Sequence, residues 1–275
     1  MKHLGSIFEY TFLVVLSAFV LVPVFATFMG GFKSNAEIRA NPVGLPRVFD
    51  AAAYVDIFRN PETWRYAYNS LQIALLTVVL VLLLSSMAAF TFSHMKYAGK
   101  DFIYSYLLLG LMFPLAVAIV PMFTIINNFL DLFNTHWAII LPQVAFGLAS
   151  AILFFRSFFE QLPYELFEAA RVDGISYLGF YGRFILPLST PILATVGVLT
   201  LVSSWNGFLL PLIMLGTDKA LHPWPLGLMN FQGEWTAEWN RILAFISINL
   251  APAVVLFLLA QRYIVAGLTG GAVKG

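Results

Sequence analysis

Between Leu162 and Pro187 the chain reads LPYELFEAARVDGISYLGFYGRFILP, and Glu165, Glu168, Arg171, Asp173 and Arg183 fall here between two long apolar runs. A plain connector would need no such patterning. Pro163 suits the first position of a helix, Glu165 and Glu168 come early, where the helix dipole favours anions, Arg171 comes late, and Gly174 is placed to end it. The spacing predicts a short helix of roughly three turns. Leu162, Leu166, Ala169 and Asp173 fall along one side with Phe167, Ala170 and Gly174 beside them, and the paired alanines leave room for another surface to come close. After Gly174, Ser176 is placed to cap a second helix in which Tyr177, Phe180, Tyr181 and Phe184 recur at i, i+3, i+4 and i+7. That aromatic stripe is expected to pack on the protein and leave the first helix projecting. Taken alone, the pattern also allows two interfacial helices that only close a loop.

The flanking runs set the class. Hydrophobic residues make up 60% of the 275-residue chain and charged residues 11%, against about 45–50% and about 25% in soluble domains. Too little charge is present to cover a surface, so lipid is the expected solvent. Six stretches lack Asp, Glu, Lys, Arg and His: Tyr10–Phe32, Tyr66–Ser93, Phe102–Leu130, Trp137–Phe155, Phe184–Thr217 and Ile242–Gln261. A span needs about 20 mostly apolar residues to cross about 30 Å of hydrocarbon. The expectation is an all-α integral membrane protein, one domain over 1–275. Its spans fall near 8–30, 68–92, 102–125, 137–155, 186–210 and 242–262, with a polar loop over 156–185.

Met1-Lys2-His3 resembles the start of a signal peptide. The uncharged run that follows exceeds the about 7–15 residues of a signal core, and Glu9 interrupts the flank, so a retained span is expected. No cysteine is present, which excludes a disulfide framework and thiolate metal sites. A net charge of +1 argues against a nucleic-acid partner. Six spans put both termini on one side. With the termini inside, eight Lys and Arg residues fall inside and seven outside, so the positive-inside rule decides nothing on the total. The short loops lean one way: SHMKYAGKD (Ser93–Asp101) holds two lysines and NNFLDLFNTH (Asn127–His136) neither Lys nor Arg. Both termini are therefore expected in the cytoplasm.

With that orientation Lys33 to Arg65 is an outer segment with turns at NPVGLPR and RNPE, and Leu210–Asn240 is an outer loop carrying a short surface helix. Pro114, Pro121, Pro142, Pro187, Pro191 and Pro252 lie in the apolar runs and are expected to kink them. The tryptophans, Trp64, Trp137, Trp205, Trp224, Trp235 and Trp239, all fall in the outer half, as an interfacial belt or as platforms along a solute path.

No Asp, Glu, Lys or Arg lies well inside a span, which counts against an ion-coupled transporter and against a membrane enzyme needing a buried acid, base or metal. Hydroxyl and amide residues are frequent there instead, among them Ser85, Ser86, Gln143, Ser150, Thr200, Ser203, Ser204 and Asn206. They suit a neutral, hydroxyl-rich solute and equally suit helix packing. His3, His94, His136 and His222 show no metal-ligand spacing and read as solvated. No phosphate loop, nucleophile elbow or zinc-protease motif occurs, so any ATP must be bound by another chain.

EAARVDG (Glu168–Gly174) followed nine residues later by FILP (Phe184–Pro187) resembles the EAA loop of importer-type ABC permeases, E-A-A, a glycine four further on, then I-x-L-P. Glu168, Ala169, Ala170, Gly174, Leu186 and Pro187 match, and Phe184 stands where isoleucine is usual. FKSNAEI after the first run, YNSL opening the second, SWNGFLLPL ending the fifth and the tail QRYIVAGLTGGAVKG extend the likeness over most of the chain. They are similar to the carbohydrate-uptake subgroup, and within it to the smaller permease of maltose-type importers. Gly207 departs from that pattern, standing where the family commonly has an acidic or amide residue.

The resemblance implies a type I importer permease of six helices that carries a sugar by alternating access. It implies that Glu168, Ala169, Ala170, Arg171, Asp173 and Gly174 form a cytoplasmic coupling helix seated in a groove of an ATPase subunit. The implied partners are a second, homologous permease, two copies of the ATPase, which bind ATP and Mg, and an extracytoplasmic solute-binding protein. No cofactor or metal is expected in this chain, which would be a transport subunit and not an enzyme. Ser203, Trp205 and Asn206 are the candidate solute path, and the location is a bacterial or archaeal cytoplasmic membrane. A polyol, a glycerol phosphate or a glycosylated compound is the alternative cargo. The glycine-rich tail from Arg262 either ends the chain without order or docks near the ATPase.

Overall fold

The computed structural model describes residues 2–233 and 237–269, so Trp235 and the tail beyond Thr269 lie outside the described residues. Twelve helices carry the fold: α1 (Lys2–Gly30), α2 (Asn35–Ala40), α3 (Ala52–Arg59), α4 (Pro61–His94), α5 (Lys100–Leu108), α6 (Leu115–Thr124), α7 (Trp137–Phe159), α8 (Tyr164–Val172), α9 (Tyr177–Leu188), α10 (Thr190–Trp205), α11 (Leu209–Met214) and α12 (Trp239–Thr269). Short turns and an isolated bridge from Gln232 to Ala237 complete the described residues.

Among the described residues three helices are unbroken, long and apolar enough to cross a membrane: α1 over Glu9–Gly30, α4 and α7. Two more apolar runs are bent pairs. Lys100–Met112 and Leu115–Phe129 meet at 104°. The cause is local: Phe113, pushed out of the helical region by the proline after it, is extended (φ −90, ψ 112), and Pro114 has no N–H to offer. The second pair, Tyr177–Leu188 and Thr190–Trp205, bends by 78° at Ser189, with Pro187 before it and Pro191 after it. Pro121, Pro142 and Pro252 instead lie within continuous helices, so proline alone does not set the bends. The apolar part of the last helix, Trp239–Val255, is shorter than a full span among the described residues.

The chain forms two compact units, Met1–Ala67 with Trp224–Pro252, and Tyr68–Pro223 with Ala253–Gly275. In the first, Ala53 and Ile57 of α3, Tyr66 of α4, Trp224, and Ala244 and Phe245 of α12 build one core. Trp224 stacks on Phe245 with ring centroids 4.9 Å apart. The segment expected as a surface loop thus sends Trp224 and Leu226 inward, because an indole buries more apolar area in a core than on a wet surface. Lys33, at the start of the expected outer segment, is also buried. Its Nζ donates to the Asn41 carbonyl at 2.8 Å and to that of Pro42 at 3.4 Å, closing the end of α2. Tyr54 donates to the Phe28 carbonyl at 2.6 Å, and burial raises its phenol above the ordinary value and keeps it a donor.

Of the tryptophans, Trp64, Trp137 and Trp239 are about half exposed, as a belt requires, whereas Trp205 and Trp224 are buried. The second unit holds the rest of α4 together with α5 to α11, and within it the histidines are occupied. His136 Nε2 contacts the Leu221 carbonyl and His222 Nε2 that of Gly216, each at 3.0 Å, while His94 is 6% exposed. The solvated reading of these side chains is therefore corrected: each sits where a buried carbonyl or an aromatic face needs a partner.

Gly227 marks the tightest point of the first core. A Cβ there would lie 2.6 Å from Phe245 and 2.7 Å from Tyr66. Gly227→Val should lower stability by about 1–3 kcal/mol through overpacking. A thermal scan of the purified protein in detergent reads this as a fall in Tm, and an unchanged Tm would show that the two rings move aside freely.

Candidate functional site

The second unit presents two places of interest, the helix pair α8–α9 and a cavity among α4, α6, α7, α10 and α11. In the first, Pro163 precedes α8 and sets its start (φ −58, ψ 124), Glu165 lies in the first turn and Arg171 in the last. The end of α8 is a left-handed stop. Gly174 has φ 77, its N–H donates to the Arg171 carbonyl at 3.1 Å, and the Ile175 N–H reaches back to the Ala170 carbonyl at 2.9 Å. These are the two bonds of a Schellman motif, and they turn the chain sharply into α9. Ser176 then caps α9, its Oγ accepting from the Gly179 N–H at 3.1 Å.

The two faces of α8 differ. Phe167 and Ala170 are buried, Phe167 against Tyr177 at 5.5 Å and Phe180 at 5.2 Å. Arg171 folds back over the Tyr177 ring at 4.8 Å. Glu168, Ala169, Asp173 and Gly174 are exposed, as are Leu166 at 41% and Val172 at 88%. Of the two alanines only Ala169 is therefore open to another surface. Glu168 and Asp173 form no ion pair with any described residue.

The cavity has a volume of about 500 Å³. Its polar wall is built around Gln143 of α7. The Oε1 of Gln143 accepts from Thr77 Oγ1 of α4 at 3.1 Å and from Ser204 Oγ of α10 at 2.6 Å, joining three helices at one atom. Its Nε2 lies beside Gly207, where a Cβ would come within 3.3 Å. Ser150, Thr200 and Ser203 add hydroxyls, Phe146 and Phe154 add aromatic faces, and no lining residue is ionisable.

Of the three residues expected on a solute path, Ser203 lines this cavity. Trp205 does not line it and is buried, while Asn206 is exposed and ends α10 with its N–H on the Val202 carbonyl at 3.1 Å. Thr77, Phe146, Phe154 and Gly207 line it without having been singled out as path residues. Gln143, Ser150, Thr200 and Ser204 stand out in the sequence as polar groups inside apolar runs, but the pattern cannot say which of them converge. The described residues hold no cluster of His, Asp and Glu able to bind a metal.

Long apolar helices, a helix pair joined at a left-handed turn and a neutral polar cavity are the parts of a membrane transport component. Residues 81–270 match the family described as binding-protein-dependent transport system inner membrane component. A probable ABC transporter permease protein, YurM of Bacillus subtilis, is 35% identical over 99% of this chain and 90% of the relative. The arabinooligosaccharides transport system permease protein AraQ of Halalkalibacterium halodurans is 34% identical over 94% of this chain and 93% of its own length. The solved structure of a bacterial ABC transporter involved in import of the acidic polysaccharide alginate matches in fold, with a TM-score of 0.81 and 21% identity, covering 95% of this chain and 96% of that one. This chain belongs to the binding-protein-dependent inner-membrane permease family. It is a multi-pass inner membrane protein, a transport component that works with partners and not an enzyme.

The turn at Gly174 carries a conformational demand and no packing demand, since a Cβ there would meet nothing within 4 Å. Gly174→Ala should cost about 1–2 kcal/mol from the left-handed conformation alone. Gly174→Pro should cost more, because proline holds φ near −65° and removes the N–H that bonds Arg171. Limited proteolysis of the purified protein should cut between α8 and α9 in the order Pro, Ala, native, fastest first. Equal rates would mean that the turn does not depend on glycine.

Proposed function

We propose that this chain is the membrane-spanning subunit of an ATP-driven importer that carries a sugar, an oligosaccharide or related carbohydrate, across the cytoplasmic membrane. The observation that carries the reading is α8. It is anchored by Phe167 and Ala170, stopped by Gly174, and offers Leu166, Ala169 and Val172 together with the uncommitted charges of Glu168 and Asp173. Apolar side chains ringed by free charge are what a helix needs to sit in the groove of another protein. Under this reading α8 is the coupling helix and its partner is a cytoplasmic ATPase, present in two copies, which binds ATP and Mg. A second, homologous permease completes the membrane part, and an extracytoplasmic binding protein delivers the solute. The three unbroken helices, the two bent pairs and α12 serve as six spans with both termini in the cytoplasm.

The mechanism is rigid-body alternating access. Closure of the ATPase pair on ATP moves the coupling helices, the two permeases switch from inward-open to outward-open, and hydrolysis resets them. The cavity around Gln143 and Ser203 is the part of the path this chain contributes. Its hydroxyls, amide and aromatic faces without ionisable groups favour a neutral polyhydroxylated solute over a charged one such as a glycerol phosphate. The name of the arabinooligosaccharide relative supports the same class of cargo.

Three outcomes check the reading. Glu168→Lys should leave the protein in the membrane and abolish solute-dependent ATP hydrolysis by the assembled transporter, and normal stimulation would remove α8 from the coupling role. Gln143→Leu strips the shared acceptor from Thr77 and Ser204, at a cost of about 1 kcal/mol per lost bond. The variant should assemble yet raise the KM for uptake several-fold. Purification from native membranes, with the co-purifying chains identified by mass spectrometry, should recover an ATPase and a second permease.

A further inference from the structure

His94 is the last residue of α4, and its buried ring has four aromatic neighbours. Phe90, one turn back, stacks on it at 5.0 Å with 26° between the planes. Tyr164, the first residue of α8, lies nearly parallel to it at 6.4 Å and 19°. Phe167 of α8 meets it edge-on at 5.6 Å, and Phe180 of α9 lies at 5.9 Å. Ser93 Oγ holds its Nδ1 at 2.7 Å. Among the described residues, the ring contacts between α8 and α4 thus run through this one side chain.

The contact continues along α4. Ser86, Phe90 and His94 follow one another at intervals of four and form a single stripe. Phe90 packs on Tyr181 of α9 at 5.5 Å, and Ser86 Oγ shares a buried 2.7 Å hydrogen bond with the Tyr181 hydroxyl. Further along the same unbroken helix Thr77 donates to Gln143 at the cavity. Seventeen residues separate His94 from Thr77, roughly 25 Å of helix at about 1.5 Å per residue. One unbroken element therefore touches the helix pair at one end and the cavity further along.

We propose that His94 is a positioning residue for transport: its flat ring, packed with Phe90 within α4 and with Tyr164 and Phe167 of α8, forms an aromatic clamp that locks α8 to α4 so that a displacement of α8 moves α4 and reaches the cavity. The proposal rests on the reading of α8 as the coupling helix. The requirement is for a planar ring, since the ring contacts with Tyr164 and Phe167 carry the lock between the two helices, while the Phe90 and Ser93 contacts lie within α4 itself. A flat group packed among aromatic rings resists sliding, whereas a small aliphatic side chain would let α8 shift without its partner.

The chain has no cysteine, so a single Ser203→Cys in the cavity reports its accessibility. The experiment uses the complete transporter in liposomes. It follows labelling of that cysteine by a thiol reagent, detected on this chain by mass spectrometry, with Mg-ATP present or absent, and ATP hydrolysis in the same samples. Mg-ATP should change the labelling rate at least fivefold with His94 in place. His94→Ala should reduce that change to under twofold while hydrolysis continues, and His94→Phe should restore it, a separation that a merely structural role would not produce. An undiminished response in His94→Ala, or His94→Phe as defective as His94→Ala, overturns the proposal. Should His94→Ala fail to assemble, Tyr164→Ala removes the other half of the clamp from a partly exposed position, and a full response there overturns it as well. Glu168→Lys separates the two levels. If that variant loses the response while the His94 and Tyr164 variants keep it, the clamp alone is wrong, and if it keeps the response, the coupling role of α8 falls and the clamp with it.

Discussion

Hydrocarbon offers no hydrogen bonds, so every backbone and hydroxyl group inside the bilayer must find a partner within the protein, and much of this architecture follows from that demand. In α4 the hydroxyls of Ser85, Ser86, Thr91 and Ser93 return to the carbonyls of Val81, Leu82, Met87 and Ala89, one turn back. Thr195 does the same with Pro191 in α10. Groups satisfied in this way hold a helix in lipid without asking anything of its neighbours. The ladder is interrupted at Phe113–Pro114, and Leu115, directly after that break, lines the cavity. Irregular backbone at membrane depth is tolerated where it faces protein or a polar cavity; here Leu115 reaches the cavity, while Phe113 and Pro114 of the break itself are exposed on this chain.

The same demand explains which parts of the site could be read from the amino-acid order. The polar residues inside apolar runs are visible there, Gln143, Ser150, Thr200, Ser203 and Ser204 among them. Their sorting is not, because it depends on how each helix is rotated by its packing. Ser203 reached the cavity, while its neighbours on α10 diverged, Trp205 into the interior and Asn206 to the exposed end of the helix. Gln143 became central because Thr77 and Ser204, 66 and 61 residues away, arrive at one of its atoms. No local pattern encodes that meeting.

The helix pair was legible for the opposite reason. Its determinants are local: a proline start, charges ordered along the dipole, a glycine at the left-handed stop and a serine cap, all within one short stretch. Chain order also showed the aromatic stripe of α9. It did not show what the stripe packs on, and His94 looked like an ordinary polar residue closing a span. A histidine ring has two apolar faces as well as two nitrogens, and only tertiary packing decides which of these is used. The tryptophans split on the same ground, since Trp64 and Trp224 have similar polar and proline-bearing surroundings in sequence and opposite burial in the fold.

The continuity of α4 sets it apart from its neighbours in mechanical terms. Two other apolar runs of the second unit are bent, by 104° and by 78°, and a bent pair can absorb displacement at its break. A continuous helix has no such break, and well-packed side chains resist gradual deformation and yield only by shifting as a body. Gly147 of α7 lies close beneath Val81 of α4, where a Cβ would come within 3.2 Å, so the middle of the helix is gripped as well as its ends. Movement delivered to the aromatic cluster at His94 therefore has little room to dissipate before it reaches Thr77. The Gln143 oxygen, shared by α4 and α10, is the first polar junction that such a movement would load, and it stands in the wall of the cavity.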